Sequence, residues 1–120
     1  MIKSFLIVDD SLISRMMTKN IIIKLRPDWM IFEAATGAEA VSLCQEHPID
    51  FISMDFNMPG ITGIEAATEI LKERPGTRIT IMTANIQNAL QAKILEAGLT
   101  FVAKPLTDNK GPELLKALGQ

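Results

Sequence analysis

At 120 residues the chain has room for one hydrophobic core, large enough to bury roughly two-thirds of its unfolded surface without disulfides. Its 48% hydrophobic and 22% charged residues sit near the globular average, which excludes a disordered or fibrous chain. A net charge of −2, with no basic cluster longer than Lys24-Leu25-Arg26, leaves no electrostatic footprint for nucleic acid. No apolar run approaches the about 20 residues of a membrane span, and the first eight residues lack a signal-peptide pattern. The expectation is one domain, 1–120, in the cytoplasm. The single cysteine, Cys44, suits a reducing compartment and reads as a small buried hydrophobe.

Lys3 to Val8 reads as a strand, its last four residues continuously apolar as in a strand covered on both faces, and it ends at Asp9-Asp10. Ser11 to Arg26 follows with helical spacing, with Met17, Ile21 and Leu25 on the core stripe and Pro27 as the stop. Met30-Ile31-Phe32 is a short second strand. Thr36-Gly37-Ala38-Glu39 matches a capping box that opens a helix through about Glu46, ended by His47-Pro48. Ile49 to Met54 is the third strand, and Asp55 stands at its mouth before the turn-forming Asn57-Met58-Pro59-Gly60. A second capping box, Thr62-Gly63-Ile64-Glu65, opens a helix to about Arg74. Arg78 to Met82 is the fourth strand, Ala84 to Ala97 a helix with Gly98 as its left-handed cap, and Thr100 to Ala103 the fifth strand. Pro112 starts a last, short helix through Leu118. Five strands alternating with five helices predict an α/β fold, a parallel sheet with helices on both faces.

In an open parallel sheet the ligand site lies outside the carboxyl ends of the strands. Here those ends supply Asp9-Asp10, Asp55, Thr83 and Lys104-Pro105. Taken singly, Asp10 or Ser11 and Thr83 read as helix caps and Lys104 as a solvated side chain. One site accounts for all of them together. Crowded carboxylates raise one another's pKa unless a cation neutralises them. An all-oxygen donor set without His or Cys suits Mg²⁺ or Mn²⁺. A metal beside a fixed lysine and a hydroxyl meets the needs of phosphoryl transfer, with Asp55 as the nucleophile.

Asp9-Asp10, Asp55-Phe56-Asn57-Met58-Pro59-Gly60, Met82-Thr83-Ala84 and Lys104-Pro105 together resemble the receiver domain of bacterial response regulators, the CheY-like family, over nearly the whole chain. The resemblance implies a doubly wound, flavodoxin-like sheet of order 2-1-3-4-5, an order known for the chemotaxis regulator of this family. It implies that Asp55 accepts a phosphoryl group from a histidine of a sensor kinase or phosphotransfer protein. Asp10, Asp55 and the carbonyl of Asn57 would ligate Mg²⁺ directly, and Asp9 would act mainly through water. Thr83 and Lys104 would bind phosphoryl oxygens, with Thr83 and Phe101 as switch residues and a cis Lys104-Pro105 peptide. A downstream protein would read the helix 4–strand 5 face, the chain being a monomer or weak dimer without an output domain. His47 matches none of these positions and is expected against a helix C-terminus.

Two features depart from the family pattern. The switch aromatic, often Tyr, is Phe101, which lacks a phenolic hydroxyl. The stretch 107–112 delays the last helix and leaves it about two turns long, which weakens the case for a dimer through that face. Beside its core stripe, helix 1 carries a second apolar row, Ile13, Met16 and Ile23, expected to dock the phosphodonor. Helix 4 is apolar beyond the needs of a core, with Ile86, Ala89, Leu90, Ile94 and Leu95. Asn57 and Asn85 flank the site and are expected to tune the acyl-phosphate lifetime. A haloacid dehalogenase-type phosphatase needs a second acid two residues after the nucleophile, where Asn57 stands. A flavin binder needs a Ser/Thr/Gly-rich phosphate loop where Asp9-Asp10-Ser11-Leu12 stands. The complete acidic set argues against a docking-only pseudo-receiver.

Overall fold

The computed structural model describes residues 2–85 and 87–120. In chain order it contains β1 (Ser4–Val8), α1 (Leu12–Leu25), β2 (Met30–Ala34), α2 (Gly37–Glu46), β3 (Phe51–Asp55) and α3 (Gly63–Glu73). These are followed by β4 (Arg78–Thr83), α4 (Asn88–Glu96), β5 (Thr100–Ala103), a 3₁₀ turn at Asp108–Lys110 and α5 (Gly111–Ala117). The five strands are parallel in the order β2-β1-β3-β4-β5, the doubly wound order expected. The central strands β1 and β3 are apolar on both faces because both are covered. Alternate side chains feed two separate cores.

On one side Leu6, Val8, Ile52, Met54, Ile79 and Ile81 pack under α2, α3 and α4. On the other Phe5, Ile7, Phe51, Met82 and Val102 pack under α1 and α5 with Ile21, Ile22, Leu114 and Leu118. At the end of the sheet remote from the strand carboxyl termini, Trp29 stacks on Phe51 at 4.9 Å and Phe5 at 6.2 Å.

The helix starts follow their local chemistry. Thr62 Oγ1 accepts from Glu65 N at 3.2 Å and Glu65 Oε1 accepts from Thr62 N at 2.9 Å, a reciprocal cap that starts α3. At α2, Thr36 Oγ1 accepts from Glu39 N at 3.1 Å. Gly98 has φ +78 after α4, a left-handed conformation that costs glycine nothing. His47 is the C-cap residue of α2, and its ring lies 4.8 Å from that of Phe32. Cys44 is buried, and burial pushes its thiol up to about 11, which leaves it unreactive.

Three expected details are corrected. Met17 does not belong to the buried stripe of α1, because it is 43% exposed. The residues turned inward are Thr18, Ile21 and Ile22, so the contact face is rotated by one position. Helix α4 starts at Asn88 instead of Ala84. Thr83 Oγ1 accepts from Asn85 N at 3.0 Å and Asn85 Oδ1 from Gln87 N at 3.0 Å. These side-chain turns at Thr83 and Asn85 compete with a helix start at Ala84. Ile86, counted above among the apolar positions of helix 4, lies outside the described residues. Asp55 is the last residue of β3, in register with Met82, and does not follow the strand.

Candidate functional site

The carboxyl ends of β1, β3, β4 and β5 bring the predicted polar residues to one edge. Asp9, Asp10 and Asp55 each offer an oxygen within 4.8 Å of the others. Asp9 and Asp55 are buried and Asp10 is exposed, so the cluster opens to solvent on one side. Lys104 Nζ lies 2.9 Å from Asp9 Oδ2 and 3.2 Å from Asp55 Oδ1. It bridges the two buried acids. Burial raises the Asp55 pKa above the usual carboxylate value, Lys104 opposes that rise, and Asp9 and Asp10 add to it. Burial is thus the leading cause, ahead of the repulsion between acids anticipated above. For Lys104, burial pulls the pKa down, but the Asp9 hydrogen bond and the charge of Asp55 outweigh it and hold the ammonium charged.

Three carboxylates facing one ammonium leave an excess of negative charge on hard oxygen donors, which fits Mg²⁺ or Mn²⁺. Asn57 is exposed on the β3–α3 loop, which turns at Gly60 with φ +84.

The other predicted residues flank this cluster. Thr83 is buried at the end of β4. Its hydroxyl accepts from Asn85 N at 3.0 Å and makes only a long, 3.5 Å contact to Asn85 O. The carbonyl of Thr83 accepts from Lys104 N at 2.9 Å, which ties the ends of β4 and β5 together. The Lys104-Pro105 peptide is cis. Phe101 is half-buried on β5 and packs against the α2–α4 core, with β4 between it and the acids. The apolar row of α1 is exposed at Ile13, Met16 and Ile23, and Leu95 of α4 is exposed as well.

Two residues that hold the site were not singled out from the sequence. Arg15 Nη1 donates to the carbonyl of Asp9 at 2.6 Å, while its Nε reaches Glu33 Oε1 at 3.3 Å. It pins the acidic loop to β2. Apolar periodicity carries no signal for such a contact, since the arginine is one turn into a helix read only for its hydrophobic face. The second is Gly63, where a Cβ would lie 2.5 Å from the carbonyl oxygen of Asp55. The first turn of α3 therefore sits directly on the backbone of the acid. Its place inside a capping box was visible, but the tertiary approach was not.

Residues 5–117 match the family described as the response regulator receiver domain. The chain is 36% identical over 119 residues to the chemotaxis protein CheY of Thermotoga maritima, covering 98% of each chain. It is 33% identical over 93 residues to the response regulator UvrY of Escherichia coli, covering 78% of this chain and 43% of that protein. Among solved structures it is similar to the CheX–CheY–BeF₃–Mg²⁺ complex of Borrelia burgdorferi, with a TM-score of 0.88, 28% identity, and coverage of 98% of this chain and 90% of that one.

Proposed function

The chain belongs to the response regulator receiver domain family, and on that premise we propose that it is a Mg²⁺-dependent switch phosphorylated on Asp55. One observation carries the reading: Asp55 ends the central strand within 4.8 Å of two more carboxylates and 3.2 Å from a charged lysine. Asp10, Asp55 and the Asn57 carbonyl would hold the ion, with Asp9 acting mainly through water. When bound, Mg²⁺ neutralises phosphoryl charge and orients the incoming group.

The chemistry that falls to the protein is nucleophilic attack. A carboxylate oxygen of Asp55 attacks the phosphorus of a phosphohistidine. The P–O bond forms as the P–N bond breaks, and the imidazole takes the bonding electron pair. Asp55 must be ionised, and Lys104 favours that state against the burial that opposes it. Water then cleaves the acyl phosphate, and Asn57 and Asn85, which flank the site, set how fast. The domain catalyses its own modification and its reversal. No helix among the described residues is long and apolar enough to cross a membrane, and we assign the domain to the cytoplasm, with the kinase that serves it.

The same contacts transmit the signal. Lys104 exchanges a carboxylate for a phosphoryl oxygen, and the hydroxyl of Thr83, whose own proton has only the long 3.5 Å contact to Asn85 O, donates to another, which strains the Thr83–Asn85 turn. Moving a two-state domain almost fully takes about 5.5 kcal/mol. Two charge-assisted hydrogen bonds supply roughly 1.5–3 kcal/mol each, so both must form chiefly in the active state. Phe101 reads the change by its packing alone. The exposed row Ile13, Met16 and Ile23 of α1, beside Asp10, suits docking of a kinase or histidine phosphotransfer protein. The downstream target would take the α4–β5 face, where Leu95 is exposed.

Amide NMR spectra with beryllofluoride and Mg²⁺ test the reading. Shifts are expected at Asp55, Thr83, Phe101 and Lys104 in the native chain and none in Asp55→Asn. Spectra that change equally in both proteins would contradict it.

A further inference from the structure

Under the N-terminal half of α1 lies a cavity of about 260 Å³ whose lining includes neither Asp55 nor Thr83. Its walls are mostly apolar, with Ile7, Val8, Met17, Met82 and Leu106 among them. Its polar residues are Ser14, Thr18, Ser53 and, on one side, the paired Asp9 and Lys104. Ser53 is 2% and Thr18 6% exposed. Neither hydroxyl has a hydrogen-bond partner among the described residues. Every described side-chain polar atom sealed from solvent does have a partner. Both hydroxyls are therefore open to an occupant, and the cavity they line is where one can reach them. Solvent reaches both hydroxyls, so a ligand there would take the place of water and must reproduce its hydrogen bonds.

We infer that this cavity is a ligand site for a small neutral molecule with one apolar ring or branched body and one alcohol or amide group. The size follows from volume. An apolar cavity of roughly 150 Å³ takes benzene, and pockets for drug-sized ligands start at about 300 Å³. The space here fits one substituted ring. Neutrality follows from the charged side. Lys104 is shared between Asp9 and Asp55, and the two oxygens of Asp9 are taken by Lys104 and by Ser11 N at 2.9 Å. Lys104, the one cation among the described lining residues, is therefore not left to select an anion, and the cation-suiting oxygens of Asp10 and Asp55 lie outside the lining. The polar group is set by Thr18 and Ser53, which can each donate and accept.

The cavity owes its existence to small side chains at sheet-facing positions of α1 and β3 and to the late start of α5. Leu106 and Pro105, not a helix, form its wall on the β5 side.

Benzyl alcohol and benzamide, titrated into the native chain and followed by amide NMR, test the inference. Saturable shifts confined to residues 14–18, Ser53, Met82 and Leu106 are expected. Thr18→Val removes one hydroxyl at constant volume and should weaken binding by about fivefold to tenfold, the worth of one hydrogen bond. Ser14→Leu fills the space from an exposed helix turn and should abolish it. If Ser14→Leu does not fold, Thr18→Val and the native titration still decide. Non-saturable shifts, shifts spread over α2–α4, or unchanged affinity in Thr18→Val would overturn the inference.

Discussion

On the α2–α3–α4 side of the sheet, three helices cover the strands, and branched aliphatic side chains fill the space between them. On the α1–α5 side, a 14-residue helix and a 7-residue one do the same work. That side keeps the cavity that reaches Asp9 and Lys104, an exposed apolar row and a loop where the other has a helix. The acidic site sits on the seam, with Asp55 anchored by α3 and Lys104 carried by the looser side. One face supplies a rigid base for the phosphoacceptor. The other is free to change when the lysine moves.

The largest expected difference is in core truncation. Ile81→Ala, within the packed side, should cost about 4 kcal/mol, and Leu106→Ala, which already borders a void, about 2 kcal/mol, both within the range for such changes. Urea unfolding of both variants compares them directly. Equal losses would break the contrast between the faces.

Two glycines sharpen it. A Cβ on Gly63 meets the backbone of Asp55 and Phe56, which cannot yield. On Gly111 it meets side chain instead of backbone, the tip of Leu25 at 2.7 Å and Cγ2 of Ile21 at 2.9 Å, of which the leucine tip can rotate. Gly63→Ala should cost about 3 kcal/mol and slow Asp55 phosphorylation, while Gly111→Ala should cost about 1 kcal/mol and leave it unchanged. Denaturant midpoints and a phosphorylation time course report both effects.

The seam itself responds to pH. Burial raises the Asp55 pKa, so ionised Asp55 destabilises the fold above that raised value, and the penalty vanishes below the unfolded-state value, where both states are protonated. Asp55→Asn should melt at a higher temperature than the native chain at neutral pH, and the gap should close as the pH falls into the ordinary carboxylate range. Lys104 stays charged throughout that window and adds no slope. A gap that widens on acidification would mean that Asp55 is stabilised in its ionised form.

The smallest effect on stability belongs to the exposed row of α1. Met16→Glu should change unfolding free energy by less than about 0.5 kcal/mol yet slow phosphotransfer from the cognate donor. Unchanged transfer would remove α1 from the docking surface.

Much of this architecture was legible because it rests on local chemistry. The apolar run of β1, the box at Thr62 and the glycine at 98 each have one favourable conformation, and each appears as expected. The convergence of Asp9, Asp10, Asp55, Thr83 and Lys104 followed from strand ends in a parallel sheet, while the strand order rested on family resemblance. Phase was harder to read than period. Met17 and Thr18 are neighbours in sequence, and only the way α1 packs on the sheet decides that the threonine faces in. The start of α4 depended on two side chains preferring turns to helix. Arg15 on the Asp9 carbonyl and the cavity beneath α1 are products of tertiary approach, which no one-dimensional pattern carries.

The central claim, that Asp55 is the phosphoacceptor, is tested most directly by intact-mass spectrometry after treatment with a small phosphodonor such as acetyl phosphate and Mg²⁺. The native chain should gain the mass of one phosphoryl group, labile to base, and Asp55→Asn or omission of Mg²⁺ should abolish the gain. An equal gain in Asp55→Asn, or none in the native chain, would contradict it.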